Sequence, residues 1–296
     1  MLVRNLIVSI LILLTTGCSR TEFAYRNADW FLEIYAKQTV DANFDQIEQW
    51  RPILQSELEY HRVELLPLLI AYLDLMERAS RYPDEEKLAG CLVDAGLYLY
   101  QRHAQLAVDL AVPLLMTLDY SQLRHLTEYM ARQQQKARNR YLKTKSQSQH
   151  EVRMARFIER TERWTGELND AQLQDMEQAI RRIPDLSENW LSFREQQTAG
   201  LLQLLEINPD ERLVRKYLSD WWISFEQRSF DYDQDWNIAK HEFVDLLQKL
   251  GASLTERQRK TLAQRIASFR KDLKLFQEPL PQPGKTPEIL LCSSPV

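Results

Sequence analysis

Glycine is scarce, 7 residues of 296, where average usage of about 7% would supply about 20. Few glycines leave few positions for tight hairpin turns or phosphate-cradling loops, so β-rich folds and Gly-rich nucleotide sites are disfavoured. The one GKT, Gly284 to Thr286, lacks the preceding glycine, strand and helix that a phosphate loop needs. Cysteine is also scarce: Cys18, Cys91 and Cys292 are all there are, too few for a disulfide framework or a CxxC metal site. Cys91 and Cys292 are able to pair in an oxidising compartment, but KLAGCLVDAGLYL suits a small packed thiol on a helix face, and that reading is preferred. No positive excess exists either; the net charge is −4 and becomes −5 once Arg4 leaves with a leader, which gives no general nucleic-acid-binding balance.

What is present begins with MLVRN, then the apolar block LIVSILILL, then TTGCSR. A positive start, a short apolar run and small residues before a cysteine make an export signal at 1–17, because a spanning helix needs about 20 apolar residues. Gly17 and Cys18 resemble the last two positions of the bacterial lipobox, while Thr15 stands where that pattern has leucine. The resemblance implies acylation (palmitate-type chains) at Cys18, membrane attachment through it and, with Ser19 next, an outer-membrane protein facing the periplasm. More than one chain makes such an anchor durable.

From there the pattern is helical. Ile47, Trp50, Leu54, Leu58, His61, Leu65, Leu68, Tyr72 and Leu75 step by three and four residues, one stripe on one helix side, with bends expected at Pro52 and Pro67. Further helices are expected over 28–38, 85–103, 106–118, 121–164, 170–182, 186–205, 211–229, 236–250 and 256–276. The fold class is all-α: elongated helical hairpins or a bundle with coiled-coil-like arms over 18–278, a sub-division near 165–185, and a Pro-rich disordered tail over 279–296.

Four segments share a local grammar: ANFDQ, LDYSQ, LNDAQ and LTERQ. Asn43, Asp119, Asn169 and Thr255 each stand three residues before Gln46, Gln122, Gln172 and Gln258, the spacing of a capping box. Leu118 with Leu123 and Leu168 with Leu173 add hydrophobic staples; Leu254 has Arg259 in the partner position. The caps are 76, 50 and 86 residues apart, which excludes a fixed-period solenoid. LTERQ matches the LTxxQ motif of Spy-like periplasmic chaperones, small α-helical cradles for unfolded clients. More broadly, AYRNADWFLEIYAKQTVD, EYHRVELLPLLIAYL, RTERWTGELNDAQL and LTERQRKTLAQRIASFRKDL, together with Cys18, resemble a family of uncharacterised helical lipoproteins of Gram-negative bacteria. That family is a domain of unknown function, so the resemblance implies fold and location and brings no catalytic residue.

Chemistry is sparse. None of His61, His103, His125, His150 and His241 has Glu three residues before it, so the Glu-x-x-His pairs of di-iron bundles are absent, as are HExxH and GxSxG. No cofactor is expected. Asp231, Asp233, Asp235 and Glu242 fall at EF-hand loop positions one, three, five and twelve, but Trp236 takes the place of the turn glycine; an acidic helix start with Asp235 as cap is the alternative. Residues 124–163 hold eleven Lys or Arg against four Glu, a basic arm suited to anionic lipid or an acidic partner. Trp221, Trp222, Phe225, Phe230, Tyr232 and Trp236 cluster in sequence, as core or as a groove for a client or peptide. The expected function is a lipid-anchored periplasmic binding or scaffolding protein without catalytic activity. A Spy-like holding chaperone, and a cell-envelope enzyme with an unrecognised site, are the alternatives.

Overall fold

The computed structural model describes residues 20–82, 85, 87–145, 149–225 and 228–276. Cys18, Cys292, the leader and the tail over 279–296 lie outside the described residues. Helices α1 (Arg20–Arg26), α2 (Ala28–Val40), α3 (Phe44–Tyr60), α4 (Leu66–Arg81), α5 (Leu88–Leu115) and α6 (Tyr120–Lys145) are followed by α7 (Gln149–Thr165), α8 (Asp170–Arg182), α9 (Ser187–Glu206), α10 (Glu211–Ser219), α11 (Phe230–Ser253) and α12 (Glu256–Lys274). Among the described residues there is no strand, as the all-α expectation requires.

Proline acts at one of the two expected sites. Pro52 lies inside α3, which continues through it. Ahead of Pro67 the chain widens into a π turn over His61–Leu65, with the Leu66 N–H donating to the His61 carbonyl. Pro67 has no N–H for the Val63 carbonyl and its ring crowds that group; one extra residue in the turn relieves the crowding. Other boundaries differ from expectation. The two helices expected over 85–118 are the single α5, since nothing near Ala104 breaks the backbone ladder. The single helix expected over 121–164 is α6 and α7, and the helix expected from 236 starts at Phe230, because the Ser229 side chain caps it by accepting from the Tyr232 N–H.

All four capping boxes form. In three, the cap side chain accepts from the Gln backbone N–H and the Gln side chain accepts from the cap N–H; Asp119 and Gln122 make the same two bonds at 2.9 and 3.1 Å. The Gln122 N–H first, and the Ser121 hydroxyl second, hold the Asp119 carboxyl below the usual carboxylate range.

The boxes also meet in pairs. Gln46 Nε2 donates to Gln122 Oε1 at 2.9 Å and Gln122 Nε2 returns a bond to Gln46 Oε1 at 2.6 Å. Gln172 and Gln258 do the same at 3.0 and 2.8 Å. Each Nε2 has a second acceptor, always the carbonyl two residues before the partner's cap: Thr117, Asp41, Ser253 and Glu167 in turn. Each buried carboxamide therefore has its two donors and its oxygen engaged.

This symmetry marks a duplicated four-helix unit. In the first copy α2 packs on α3 and α6, and α3 packs on α5; in the second α7 packs on α8 and α12, and α8 packs on α11. Helix α4 separates the two hairpins of the first copy, and α9 with α10 separates those of the second. The first core holds Ile47, Trp50, Leu54, Leu110 and Leu126, and the second Met176, Ala179, Ile180, Leu246 and Leu250. Helix α4 joins α12 through Leu66, Ile70, Leu73, Ile266 and Leu273, and Arg270 of α12 ties to Asp74 and to Glu77, the latter at 2.7 Å.

Cys91 packs against Ala71, Leu75 and Leu88. Its sulfur is disulfide-bonded, which corrects the reading of a free packed thiol.

Helices α9 and α10 approach closely at Gly200, where an added Cβ would overlap the Tyr217 hydroxyl and lie 3.1 Å from its Cζ. That hydroxyl donates to the Gln197 carbonyl at 2.9 Å, so it cannot swing away without breaking a bond. Gly200→Ala is expected to lower stability by about 1–3 kcal/mol, read from urea unfolding; an unchanged midpoint would contradict the tight approach.

Candidate functional site

The π turn over Asp220–Ser224 ends at Phe225, whose backbone is left-handed at φ 52° and whose N–H donates to the Asp220 carbonyl. A bulky residue there is strained by the order of 1–2 kcal/mol, so its ring contacts must offset the strain. Phe225 stacks on Tyr100 of α5 at 5.5 Å and 17° and meets the edge of Trp190 of α9 at 5.9 Å. The Arg228 guanidinium lies 5.3 Å from the same ring. Tyr100 is locked in turn, its hydroxyl donating to the Trp222 carbonyl at 3.0 Å.

Beside these rings opens a cleft of about 390 Å³, completed by Tyr35 of α2, Tyr129 and Gln133 of α6, and Arg194 and Thr198 of α9. Tyr35 and Tyr100 remain largely exposed there. Burial pushes both phenols above their ordinary pKa, with the neighbouring Tyr129 adding to the effect on Tyr35; both are therefore neutral hydroxyls at physiological pH. Arg194 has no hydrogen-bond or ion-pair partner among the described residues. Ring faces, neutral hydroxyls, one amide and one free guanidinium suit the binding of a peptide or glycan segment bearing a carboxylate.

A second cavity, about 500 Å³, lies between α4, α5, α7, α11 and α12. Met76, Leu88, Leu92, Phe157, Trp164 and Phe243 form its apolar wall, with Arg160 and Glu85 at its lining. Both volumes fall within the usual range for ligand sites.

The residues nominated from sequence fare unevenly. The eight capping residues hold helix ends and line the two Gln pairs. Asp231, Asp233, Asp235 and Glu242 all lie within α11, where Asp233 faces away from Asp231 and Asp235 and Glu242 stands about 10 Å further along the axis; a calcium loop requires them to converge from non-helical backbone. Asp233 faces Arg228 at 2.9 Å and Glu242 accepts from Arg182 at 2.6 Å. Asp235 is not a cap, because the helix begins five residues earlier. Among the described residues no group of three or more His, Cys, Asp or Glu is placed to hold a metal.

The basic arm is partly neutralised. Arg138 holds Glu195 at 2.6 Å, and Tyr141 and Lys145 hold Glu188 at 2.8 and 3.3 Å. The Tyr120–Lys145 part of the arm is thus laid against α9. Of the aromatic cluster, Trp221, Trp222 and Phe225 reach the cleft, while Phe230 is exposed and Tyr232 is buried. Tyr35, Tyr100, Tyr129, Trp190 and Arg194 were not foreseen; they come from four helices, and only the repeated exposure-prone Tyr on otherwise apolar faces hinted at them.

No curated protein and no solved structure matches the chain. Residues 38–228, which include every residue of the cleft except Tyr35, match DUF6279, a family of unknown function, and the chain belongs to that family.

Proposed function

We propose that this chain is a periplasm-facing binding protein of the outer membrane, tethered through acylated Cys18 and holding its partner in the aromatic cleft. The observation that carries this reading is the strained Phe225 held against Tyr100 and Trp190 beside Arg194, which has no partner among the described residues. Strain of this kind persists where the surroundings over-determine it, which is common at ligand clamps. The cleft's chemistry is recognition, and its partner is a protein or cell-envelope segment with an exposed carboxylate.

Photo-crosslinking in intact cells tests it. A photoreactive residue at Tyr35 and one at Arg194 are expected to capture the same partner, with a control at exposed Ile207 capturing none, and Tyr100→Ala is expected to reduce capture about tenfold or more. Equal capture at Ile207, or different species at the two cleft positions, would refute the assignment. Mass measurement of the native chain tests the anchor separately: an unmodified Cys18 removes it.

The holding-chaperone reading is favoured by the apolar cavity beside α7 and α11, sized for a client's leucine or phenylalanine side chains. At equimolar ratio the chain is then expected to suppress aggregation of a reduced client protein. No suppression would eliminate that version while leaving the cleft reading intact.

A further inference from the structure

Helices α1 and α2 meet at Asn27, whose backbone leaves the helical region at φ −116° and ψ 22°. The Asn27 side chain donates to the Phe23 carbonyl at 2.7 Å, and the Asn27 backbone carbonyl accepts from the Phe31 N–H at 3.0 Å. This bend gathers three rings. Phe23 and Phe31 lie edge-on at 6.1 Å, and Trp30 and Phe31 at 5.0 Å. All three are exposed, by 52, 42 and 55% for Phe23, Phe31 and Trp30. Single exposed aromatics are ordinary on a surface, but three in mutual contact form a patch that calls for a partner. Leu32, by contrast, packs on the first core, so the outward side of this corner is the aromatic one.

We infer that Phe23, Trp30 and Phe31 dock into the interfacial layer of the bilayer and lay α1 and α2 on the membrane surface. The inference rests on the Cys18 anchor proposed above. Arg20 lies two residues after Cys18; two extended residues and the helical rise to Phe23 span about 12 Å at most. An acylated Cys18 therefore holds Phe23 within reach of a headgroup layer that is several ångströms thick. Trp and Phe are residue types that settle at this depth. Charge selects the kind of attraction: Arg20, Arg26 and Lys37 are matched by Glu22, Asp29 and Glu33 across residues 20–40, so the docking is apolar and needs no anionic lipid. The consequence for the cleft is positional. Tyr35 lies five residues beyond Trp30 on α2, about 7.5 Å along the axis and turned by about 140°, so docking places the cleft beside the leaflet on a side of α2 that the membrane does not cover.

Two measurements decide the matter. The acylated full chain is reconstituted into phosphatidylcholine vesicles containing lipid brominated just below the headgroup, and tryptophan emission is compared with that of Trp30→Phe. Most of the quenched emission is expected to vanish in the variant; identical quenching in both would overturn the inference. The acyl-free full chain, Cys18→Ser, is then sedimented with the same vesicles. Weak binding is expected that changes less than about twofold between low and high salt and falls about tenfold or more in Trp30→Ser/Phe31→Ser. Binding unaffected by that double change, or abolished by salt, would also overturn it. Both sites are exposed, and an unchanged circular dichroism spectrum confirms the fold. Failure of the anchor itself shows only in the mass of native Cys18, whereas the acyl-free chain reports on the patch alone.

Discussion

Replacing Gln172 with leucine is expected to lower the unfolding free energy by about 3–5 kcal/mol, among the largest effects a single substitution in this chain should have. Gln172 is wholly buried. Its carboxamide accepts from the Asn169 N–H at 3.0 Å and from Gln258, and donates to the Ser253 carbonyl at 3.0 Å and back to Gln258. Leucine fills a similar volume but leaves the Asn169 N–H, the Ser253 carbonyl and both polar atoms of the Gln258 carboxamide without their Gln172 partner. Urea unfolding by circular dichroism measures the loss; a change below about 1 kcal/mol would mean that the pair is peripheral to stability.

The reciprocal geometry adds a sharper expectation. Gln258→Leu alone strands Gln172 in the same way, so the two single changes count the same broken bonds twice. The double variant Gln172→Leu/Gln258→Leu is expected to cost about 1–2 kcal/mol less than the sum of the singles, the mark of coupled residues. Gln172→Leu with Gln46→Leu serves as the control. Gln46 belongs to the other copy of the unit and shares no partner with Gln172, so those two effects are expected to add.

How far the sequence could reveal this follows from where each feature's information lies. The helix starts at Phe44, Asp170 and Glu256 were legible because Asn43, Asn169 and Thr255 act on backbone within three residues of themselves. The pairing of the boxes was not, because Gln46 meets Gln122 across 76 positions and Gln172 meets Gln258 across 86. The first and third caps are 126 residues apart and the second and fourth 136, since α4 in one copy and α9 with α10 in the other lengthen the connections unequally. A duplication of this kind has no fixed period to detect. The bend near Pro67 was visible in that proline, yet its form, a π turn ending at Leu65, depends on how α4 packs. The turn over Asp220–Ser224 has no proline to announce it, and the left-handed Phe225 that shapes the cleft carries no local signal, because Gly or Asn would ordinarily stand there. The cleft joins positions from Tyr35 to Phe225, a distance no helical periodicity spans.

Acidification is expected to weaken the fold through His61. Its ring lies 5.3 Å from that of His103, and Tyr25 Oη is 3.1 Å from its Nδ1. Tyr25 itself stacks on Phe276 at 4.4 Å, closing the site from the far side. The His103 Nδ1 lies 2.7 Å from the Leu99 carbonyl; a carbonyl only accepts, so that nitrogen carries the proton. Burial first, and the neighbouring His103 second, push the His61 pKa down to about 4. The unfolded chain takes up this proton near pH 6.5 while the folded chain resists it until about pH 4. Between those values the unfolded state binds more protons, so stability is full above about pH 6.5 and falls as pH drops toward 4. The whole shift corresponds to about 3 kcal/mol, and partial exposure of the ring reduces the expected loss to about 2 kcal/mol. His61→Gln keeps a hydrogen-bonding group facing Tyr25 without a titrating one. Its unfolding free energy, measured in urea at half-unit steps from pH 7 to 4, is expected to decline less than that of the parent chain by that amount. Parallel curves for the two proteins would show that the acid sensitivity of the fold resides elsewhere.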